Sequence, residues 1–253
     1  MSAAFDAARA ARQILDARRT LAPIAMADLA GAPSSLAEVY AVQQAVMTGL
    51  GAVGGFKTGR PGPGETPVFA PIPAAGVRAS PARFDGGELR LAGIELEVAF
   101  LVEKPLPPVD SADFAERARA CVVPVVAIEV VDTRLADHEA AGAFWKLSDN
   151  QLNTGLVVGQ PVRDWHRLDL ENVTISLIAG AKSLASGAAK TPGGNAFDVF
   201  CAFAAAVGTH CGGLQVGHYV TTGSTMGLVF VEKGCVVRGE IAGLGRVEVE
   251  IGG

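Results

Sequence analysis

The chain is poor in the residues that would announce most common chemistries. Its four cysteines, Cys121, Cys201, Cys211 and Cys235, are far apart and form no Cys-x-x-Cys pair. That spacing argues against a disulfide framework or a structural zinc site and fits free thiols in a reducing compartment. No run of basic residues occurs and the net charge is −5, which disfavours nucleic acid or an anionic membrane surface as a partner. The longest apolar stretches, such as Ala202–Val207, fall far short of the roughly 20 residues that span a bilayer. Met1-Ser2-Ala3-Ala4-Phe5-Asp6 lacks the charged-then-apolar order of a signal peptide, so a cytoplasmic protein is expected. The four histidines (His138, His166, His210, His218) show no metal-binding pair spacing, and His210-Cys211 reads as helix-end packing. A dinucleotide fingerprint and a phosphate-binding P-loop are both missing. Gly223–Gly227 carries Thr225 at its centre, so it is no serine nucleophile elbow.

What the chain has in quantity is apolar surface, at 49% hydrophobic against 19% charged residues, enough for a sizeable core. Its 31 glycines and 14 prolines fall largely between short β-rich runs and signal many tight turns. Residues 3–19 and the segment after Ser35 read as helices; in the latter Ser35 and Glu38 form a capping pair ahead of Val39, Tyr40, Gln43 and Val46. Residues 1–50 are thus expected to be a helical segment and 51–253 a β-rich domain, which the resemblance described below makes the catalytic one. Gly54-Gly55-Phe56-Lys57-Thr58-Gly59 leads into a loop of breakers, Pro61 to Pro67. Val68–Ile72, Leu89–Leu91, Gly93–Val102, Val122–Val131, Val173–Ile178, Tyr219–Thr222, Gly227–Val231, Val236–Ile241 and Val247–Ile251 are strand candidates, with a hairpin connection at Gly243–Gly245. Asp110–Arg119 and Ala196–Val207 carry helical signals, while Trp145–Asn153 reads as loop or short helix. Strands outnumber helices without regular alternation, which predicts an α+β fold on a mixed or antiparallel sheet.

Carboxylates in apolar strands are the chemical signal. In Gly93–Val102 the apolar residues Ile94, Leu96, Val98, Phe100 and Val102 recur every second position, so Glu95 and Glu97 project together from the other face. Glu129 interrupts an almost unbroken β-branched run, where an ionised carboxylate needs a partner or a metal. Three carboxylates on two strands match the all-oxygen preference of Mg²⁺ or Mn²⁺. The plainer alternatives are a solvent-facing edge strand and a Glu129–Arg134 pair. Lys57, the one cation of its glycine-rich stretch, is positioned to bind a carboxylate or, with a lowered pKa, to carry protons; a surface lysine is the bland alternative. Thr221–Thr225, where a strand ends, offers hydroxyls and backbone N–H groups to a substrate carboxylate, or is a plain turn.

Several of these segments, in order, resemble the hydratase/decarboxylase branch of the fumarylacetoacetate hydrolase superfamily, which includes 2-oxopent-4-enoate hydratase and 4-oxalocrotonate decarboxylase. Gly55–Gly59 is similar to the family's Gly-aromatic-Lys-x-Gly segment, and Glu95–Phe100 to its Glu-x-Glu strand. Ala127–Arg134 resembles its Ala-Ile-Glu-Val-Val-Asp-Thr-Arg strand. Asp149-Asn150 with Gly155–Gly159, Thr222-Gly223-Ser224 and Gly243-Leu244-Gly245 complete the pattern. The resemblance implies a fumarylacetoacetase C-terminal-like mixed β-roll or barrel core with a helical N-terminal lead-in. It implies Mg²⁺ or Mn²⁺ on Glu95, Glu97 and Glu129, with Lys57 as the active-site lysine. The reaction expected is hydration of a 2-hydroxy-2,4-dienoate (2-oxo-4-enoate) by enolisation to a dienolate and conjugate addition of water. Alternatives are a 4-oxalocrotonate-type decarboxylase, an acylpyruvate-type C–C hydrolase, or a non-catalytic partner subunit. The implied partners are a small 2-oxo acid and further copies of the chain, or a hydratase–decarboxylase complex.

The chain also departs from the pattern. The family's acidic residue after the lysine has no clear counterpart, and Glu65 is the nearby candidate for its catalytic role. Gln151-Leu152-Asn153-Thr154 is one residue longer than the usual insert, making Asn153 and Thr154 substrate-binding candidates alongside Thr222 and Ser224. Gly193–Ala196 replaces a Gly-His-Pro, and Gly217-His218 a Gly-Asp.

Overall fold

The computed structural model describes residues 5–29 and 31–253. The start of the first expected helix therefore lies outside the described residues; the rest is α1 (Ala7–Thr20), capped by the Asp6 carboxylate on the Arg9 N–H at 2.9 Å. Next comes α2 (Leu36–Leu50), with the Ser35 hydroxyl accepting from the Glu38 N–H at 3.3 Å. Ala10, Ala11, Ile14 and Ala17 of α1 pack with Val42 and Val46 of α2 in a small core of their own, joined by Leu135 and Trp145.

The strands follow as β1 (Val53–Gly59), β2 (Val68–Pro73), β3 (Val77–Ala79), β4 (Ala82–Phe84) and β5 (Gly93–Val102). Then come α3 (Phe114–Ala118), β6 (Val122–Val131), α4 (His138–Ser148) and β7 (Asn153–Val158). β8 (Asn172–Ala179), β9 (Lys182–Lys190) and α5 (Ala196–Val207) precede β10 (Tyr219–Ser224), β11 (Val229–Phe230), β12 (Cys235–Ile241) and β13 (Gly245–Ile251). Eight strands form one sheet in the order β2-β1-β10-β5-β6-β7-β3, with β11 also on β5. Five form a second, β4-β13-β12-β8-β9. Parallel pairs (β1 with β10, β3 with β7, β13 with β4) sit among antiparallel ones, so the β core is mixed, as the sequence predicts.

The alternation in β5 does what its spacing foretells. Leu96 packs against the second sheet, where a Cβ on Gly239 would come within 2.6 Å of it. Phe100 packs edge-on against Trp165 and Phe197 and at a tilt against Phe200. β6 is buried at every position, as its β-branched run requires. Its opposite face, with that of β5, carries a smaller apolar floor of Ala99, Val125, Ala127, Leu156 and Val158.

One expectation is corrected. Leu89–Leu91 is not a strand: the backbone N–H groups of Arg90 and Leu91 donate to the Asp132 carboxylate instead, at 2.7 and 3.0 Å. Trp145–Asn153 is the short helix and loop expected, opening as the end of α4 and closing on a left-handed turn. β9 has no strand signature, because its Ser, Ala and Gly residues lack β-branched side chains, yet it pairs along β8. No helix among the described residues is long and apolar enough to cross a membrane.

Candidate metal centre

Glu95 and Glu129 stand directly opposite each other across the antiparallel β5–β6 pair, and Glu97 opposes Ala127 one pleat further on. All three carboxylates project from the same face of the sheet, and each offers an oxygen within 4.8 Å of the others. β5 is an interior strand, flanked by β10 and β6, which removes the edge-strand alternative. Like charges opposite one another destabilise a sheet, so the arrangement calls for something positive between them. Glu97 is 1% exposed and Glu129 0%.

Lys57 supplies part of that charge. From β1, three strands away, its Nζ reaches across the face to donate to Glu129 Oε1 at 2.7 Å, and lies 3.7 Å from Glu95 Oε2. A third contact is the Gln151 carbonyl at 3.0 Å. Burial works against the ammonium, but Glu129, Glu95 and Glu97 outweigh it and hold the Lys57 pKa above the ordinary lysine value. The lowered pKa that proton carriage would need is thus not what these surroundings produce. Burial, then Glu129 and Glu95, push the Glu97 carboxyl well above its ordinary range; burial raises Glu95 against the pull of Lys57.

Formal charge makes the fit to a cation concrete. Three carboxylates and one ammonium leave two negative charges, which a divalent ion balances. Glu129 Oε2 is buried without a hydrogen-bond partner, an acceptor left open inside the cluster. An all-oxygen donor set suits Mg²⁺, Mn²⁺ or Ca²⁺ rather than a soft metal.

Neighbouring groups hold the carboxylates in place. The Asn153 amide donates to Glu129 Oε1 at 2.9 Å, and the Gly223 N–H to Glu97 Oε2 at 2.7 Å. Gly223 sits at φ 106°, where the β5–β10 register shifts, and a Cβ there would lie 2.5 Å from Pro192. Only glycine brings that N–H to the carboxylate without strain. Behind Asn153, Arg134 bonds the buried Asp149 carboxylate at 2.5 Å, so Arg134 is no partner of Glu129. Arg134 and Arg18 both donate to the Asn153 carbonyl, at 3.1 and 2.8 Å. Burial and the facing Arg134 pull the Arg18 pKa down to about 9.

Of the substrate-binding candidates, Asn153 and Ser224 lie at the cluster; Ser224 pairs with Glu97 in the ladder and its hydroxyl neighbours Glu95. Thr154 and Thr222 are engaged elsewhere. The Thr154 hydroxyl accepts from Arg134 at 2.9 Å, and the Thr222 hydroxyl donates to the Val98 carbonyl at 2.8 Å. Glu65 is exposed in the loop between β1 and β2, and among the described residues its carboxylate makes no hydrogen bond to Lys57 or the three glutamates. Sequence reasoning missed Gln151, which acts through its carbonyl. Asn150, Gln151 and Leu152 are three successive non-glycine residues at φ 48°, 52° and 64°, and no pattern in their side chains announces that turn. Strain of this kind, about 1–3 kcal/mol per residue, gathers at functional sites.

The fold is that of fumarylacetoacetate hydrolase-family proteins. One such structure is 4-oxalocrotonate decarboxylase from Pseudomonas putida G7, complexed with magnesium and adipate: TM-score 0.78, 17% identity, 96% of each chain covered. 2-Hydroxyhepta-2,4-diene-1,7-dioate isomerase from Mycobacterium marinum matches at TM-score 0.57 and 17% identity, over 79% of this chain and 75% of that one. Fumarylpyruvate hydrolase from Pseudomonas aeruginosa, in complex with Mn²⁺ and pyruvate, matches at 0.53 and 18%, over 78% and 88%. No protein-family model matches the sequence, and no curated protein matches it significantly.

Proposed function

We propose that the chain is a divalent-metal-dependent lyase of the fumarylacetoacetate hydrolase superfamily, acting on a small 2-oxo-alkenoic acid. Hydration of a 2-hydroxy-2,4-dienoate is the first reading. The observation that carries it is the buried cluster of Glu95, Glu97 and Glu129 around the Lys57 ammonium. Mg²⁺ or Mn²⁺ held by the three glutamates would supply Lewis acidity toward the 2-oxo group and carboxylate of the substrate. Everything else falls to the chain's own groups. Asn153 and the Gly223 N–H fix the Glu129 and Glu97 carboxylates, so the donor set is formed before substrate arrives. With a metal on those carboxylates, the charges that hold the Lys57 ammonium would be offset, leaving Nζ on the Gln151 carbonyl as the group placed to take a proton from the enol and return it to carbon. With Glu65 exposed, Lys57 is the acid–base group nearest the site.

Decarboxylation of a 4-oxalocrotonate-type diacid is the second reading. It is supported by the likeness to the decarboxylase over 96% of the chain, where the hydrolase and isomerase cover 78–79%. We further read the protein as a homo-oligomer or as one member of a hydratase–decarboxylase complex. Assaying the Mn²⁺-loaded protein on 2-hydroxypenta-2,4-dienoate, 4-oxalocrotonate and acetylpyruvate side by side tests the reading. Fastest turnover of the first is expected. Preference for the second moves the chain to the decarboxylases, preference for the third to the C–C hydrolases. Metal binding with turnover of none makes it a non-catalytic partner.

A further inference from the structure

Thr221 is completely buried, yet its hydroxyl has no hydrogen-bond partner. The ladder fixes where it faces. Thr221 stands beside Lys57 of β1 on one side and Ala99 of β5 on the other, and Ala99 lies two residues along from Glu97. All four side chains therefore share the metal-centre face of the sheet. Of its two neighbours in that row, Ala99 has no polar group and Lys57 sends its ammonium on to Glu129, so neither satisfies the hydroxyl.

Nearby threonines show that the fold can satisfy such groups. Thr222 donates to Val98 O at 2.8 Å, Thr225 to Leu96 O at 2.7 Å and Thr58 to Val68 O at 3.0 Å. Thr221 alone of these is left open, and a valine of the same shape would pack there without desolvating an unpaired hydroxyl. Three more buried oxygens around the site also lack partners: Glu129 Oε2, Gln151 Oε1 and Asn153 Oδ1. Those three only accept, and they suit a cation or the protons of a water or enol. Thr221 is the one of the four that can donate, so its complement is an oxygen.

We propose that Thr221 is a substrate-binding residue whose hydroxyl donates to an oxygen of the bound 2-oxo acid on the Lys57 side of the centre, selecting substrates that present one there. The assignment rests on the metal-centre reading above. Thr221→Val and Thr221→Ser test it, with Mn²⁺ alone and then pyruvate as calorimetric probes. Mn²⁺ should bind wild type and both variants alike, because Thr221 is not among the ligands. Pyruvate binding to the Mn²⁺-loaded Thr221→Val protein should weaken about tenfold, equivalent to about 1.4 kcal/mol. Thr221→Ser should restore it, and the metal-free Thr221→Val protein should melt no lower than wild type. Equal pyruvate affinity in wild type and Thr221→Val would overturn the assignment alone, as would a lowered melting temperature in the valine variant. A wild-type protein that takes up no Mn²⁺ would overturn the metal-centre reading and this assignment with it.

Discussion

Replacing Glu97 by Gln should make the metal-free protein more stable and remove most of the further stabilisation that metal gives, a pair of effects that few other sites would combine. Glu97 shares its cluster with two carboxylates no more than 4.8 Å away by their nearest oxygens. At an effective dielectric near 20, two unit charges at that spacing repel by about 3 kcal/mol. The attraction of Lys57 offsets roughly one of the two repulsions, and proton uptake by the raised Glu97 carboxyl relieves part of the other. A net gain of about 2 kcal/mol is left for Gln, whose Oε1 can still accept the Gly223 N–H. In a chain of this size that is about 4–8 °C in melting temperature.

Metal acts the other way. A ligand present at about 100 times its Kd stabilises the native state by about 2.7 kcal/mol, or about 5–11 °C here. Losing one of three anionic ligands should weaken binding at least ~100-fold, which removes nearly all of that shift. The assay is a thermal melt of chelator-treated wild type and Glu97→Gln, each with and without Mn²⁺, with calorimetric titration of the metal alongside. A lower melting temperature for metal-free Glu97→Gln would refute the electrostatic account. An undiminished Mn²⁺ shift would refute the ligand assignment.

Other perturbations separate the parts of the site. Lys57→Met strands Glu129 without its buried partner and should cost the metal-free protein about 3–5 kcal/mol in chemical denaturation, while Mn²⁺ binds at least as tightly and turnover disappears. Because Glu97 and Glu95 are raised from 4.5, the native metal-free protein holds more protons than the unfolded chain; its stability should therefore fall as pH rises above about 4.5, with Mn²⁺ affinity increasing over the same window, read by melts and titrations across a pH series. Asp149→Asn leaves Arg134 buried without its carboxylate and should destabilise by about 3–5 kcal/mol; circular-dichroism melts check it. Gly223→Ala forces a side chain into Pro192 at φ 106° and should weaken Mn²⁺ binding about 10–100-fold by displacing the N–H that holds Glu97, measured by calorimetry.

The part of the centre that lies on regular strands was legible in the sequence. Strand periodicity fixes side-chain direction, so Glu95 and Glu97 could be placed on one face from spacing alone, and a carboxylate inside the β6 run demanded a partner whatever the fold. Ser35, Glu38 and the α5 boundaries were readable for a similar reason, since capping and helical spacing are local. What escaped depends on contacts between distant segments. Lys57 meets Glu129 only because the sheet brings β1 and β6 to one face, 72 residues apart in the chain. The role of Gln151 lies in its carbonyl, and main-chain groups leave no trace in residue identity. Thr221 and Thr222 both read as offering hydroxyls but only Thr222 is singled out as a candidate, because nothing local says which face of the strand meets the carboxylates; the ladder puts Thr221 there and gives the Thr222 hydroxyl to the Val98 carbonyl. β9 was invisible because its pairing with β8, not its composition, makes it a strand.

The Lys57 contact set explains how a protein can keep three carboxylates together before a metal arrives. A buried triad of like charges with no counterion would unfold the strands that carry it, and an apolar replacement would be more stable but inert. Lys57 occupies a middle position: its ammonium satisfies Glu129 and approaches Glu95, but it makes one strong contact, not three, and leaves Glu129 Oε2 unpaired. With all three carboxylates ionised the cluster is short of neutrality by two charges, which favours a divalent cation; without one, the repulsion is eased by pushing Glu97 toward its protonated form. Its remaining strain is carried by the left-handed turn at Asn150–Leu152, which brings the Gln151 carbonyl to Lys57, and by the Asp149–Arg134 pair behind Asn153. On this view the turn is tolerated because its Gln151 carbonyl gives the lysine an anchor besides the carboxylates. When those carboxylates are neutralised, Lys57 still has a fixed acceptor from which to handle a proton.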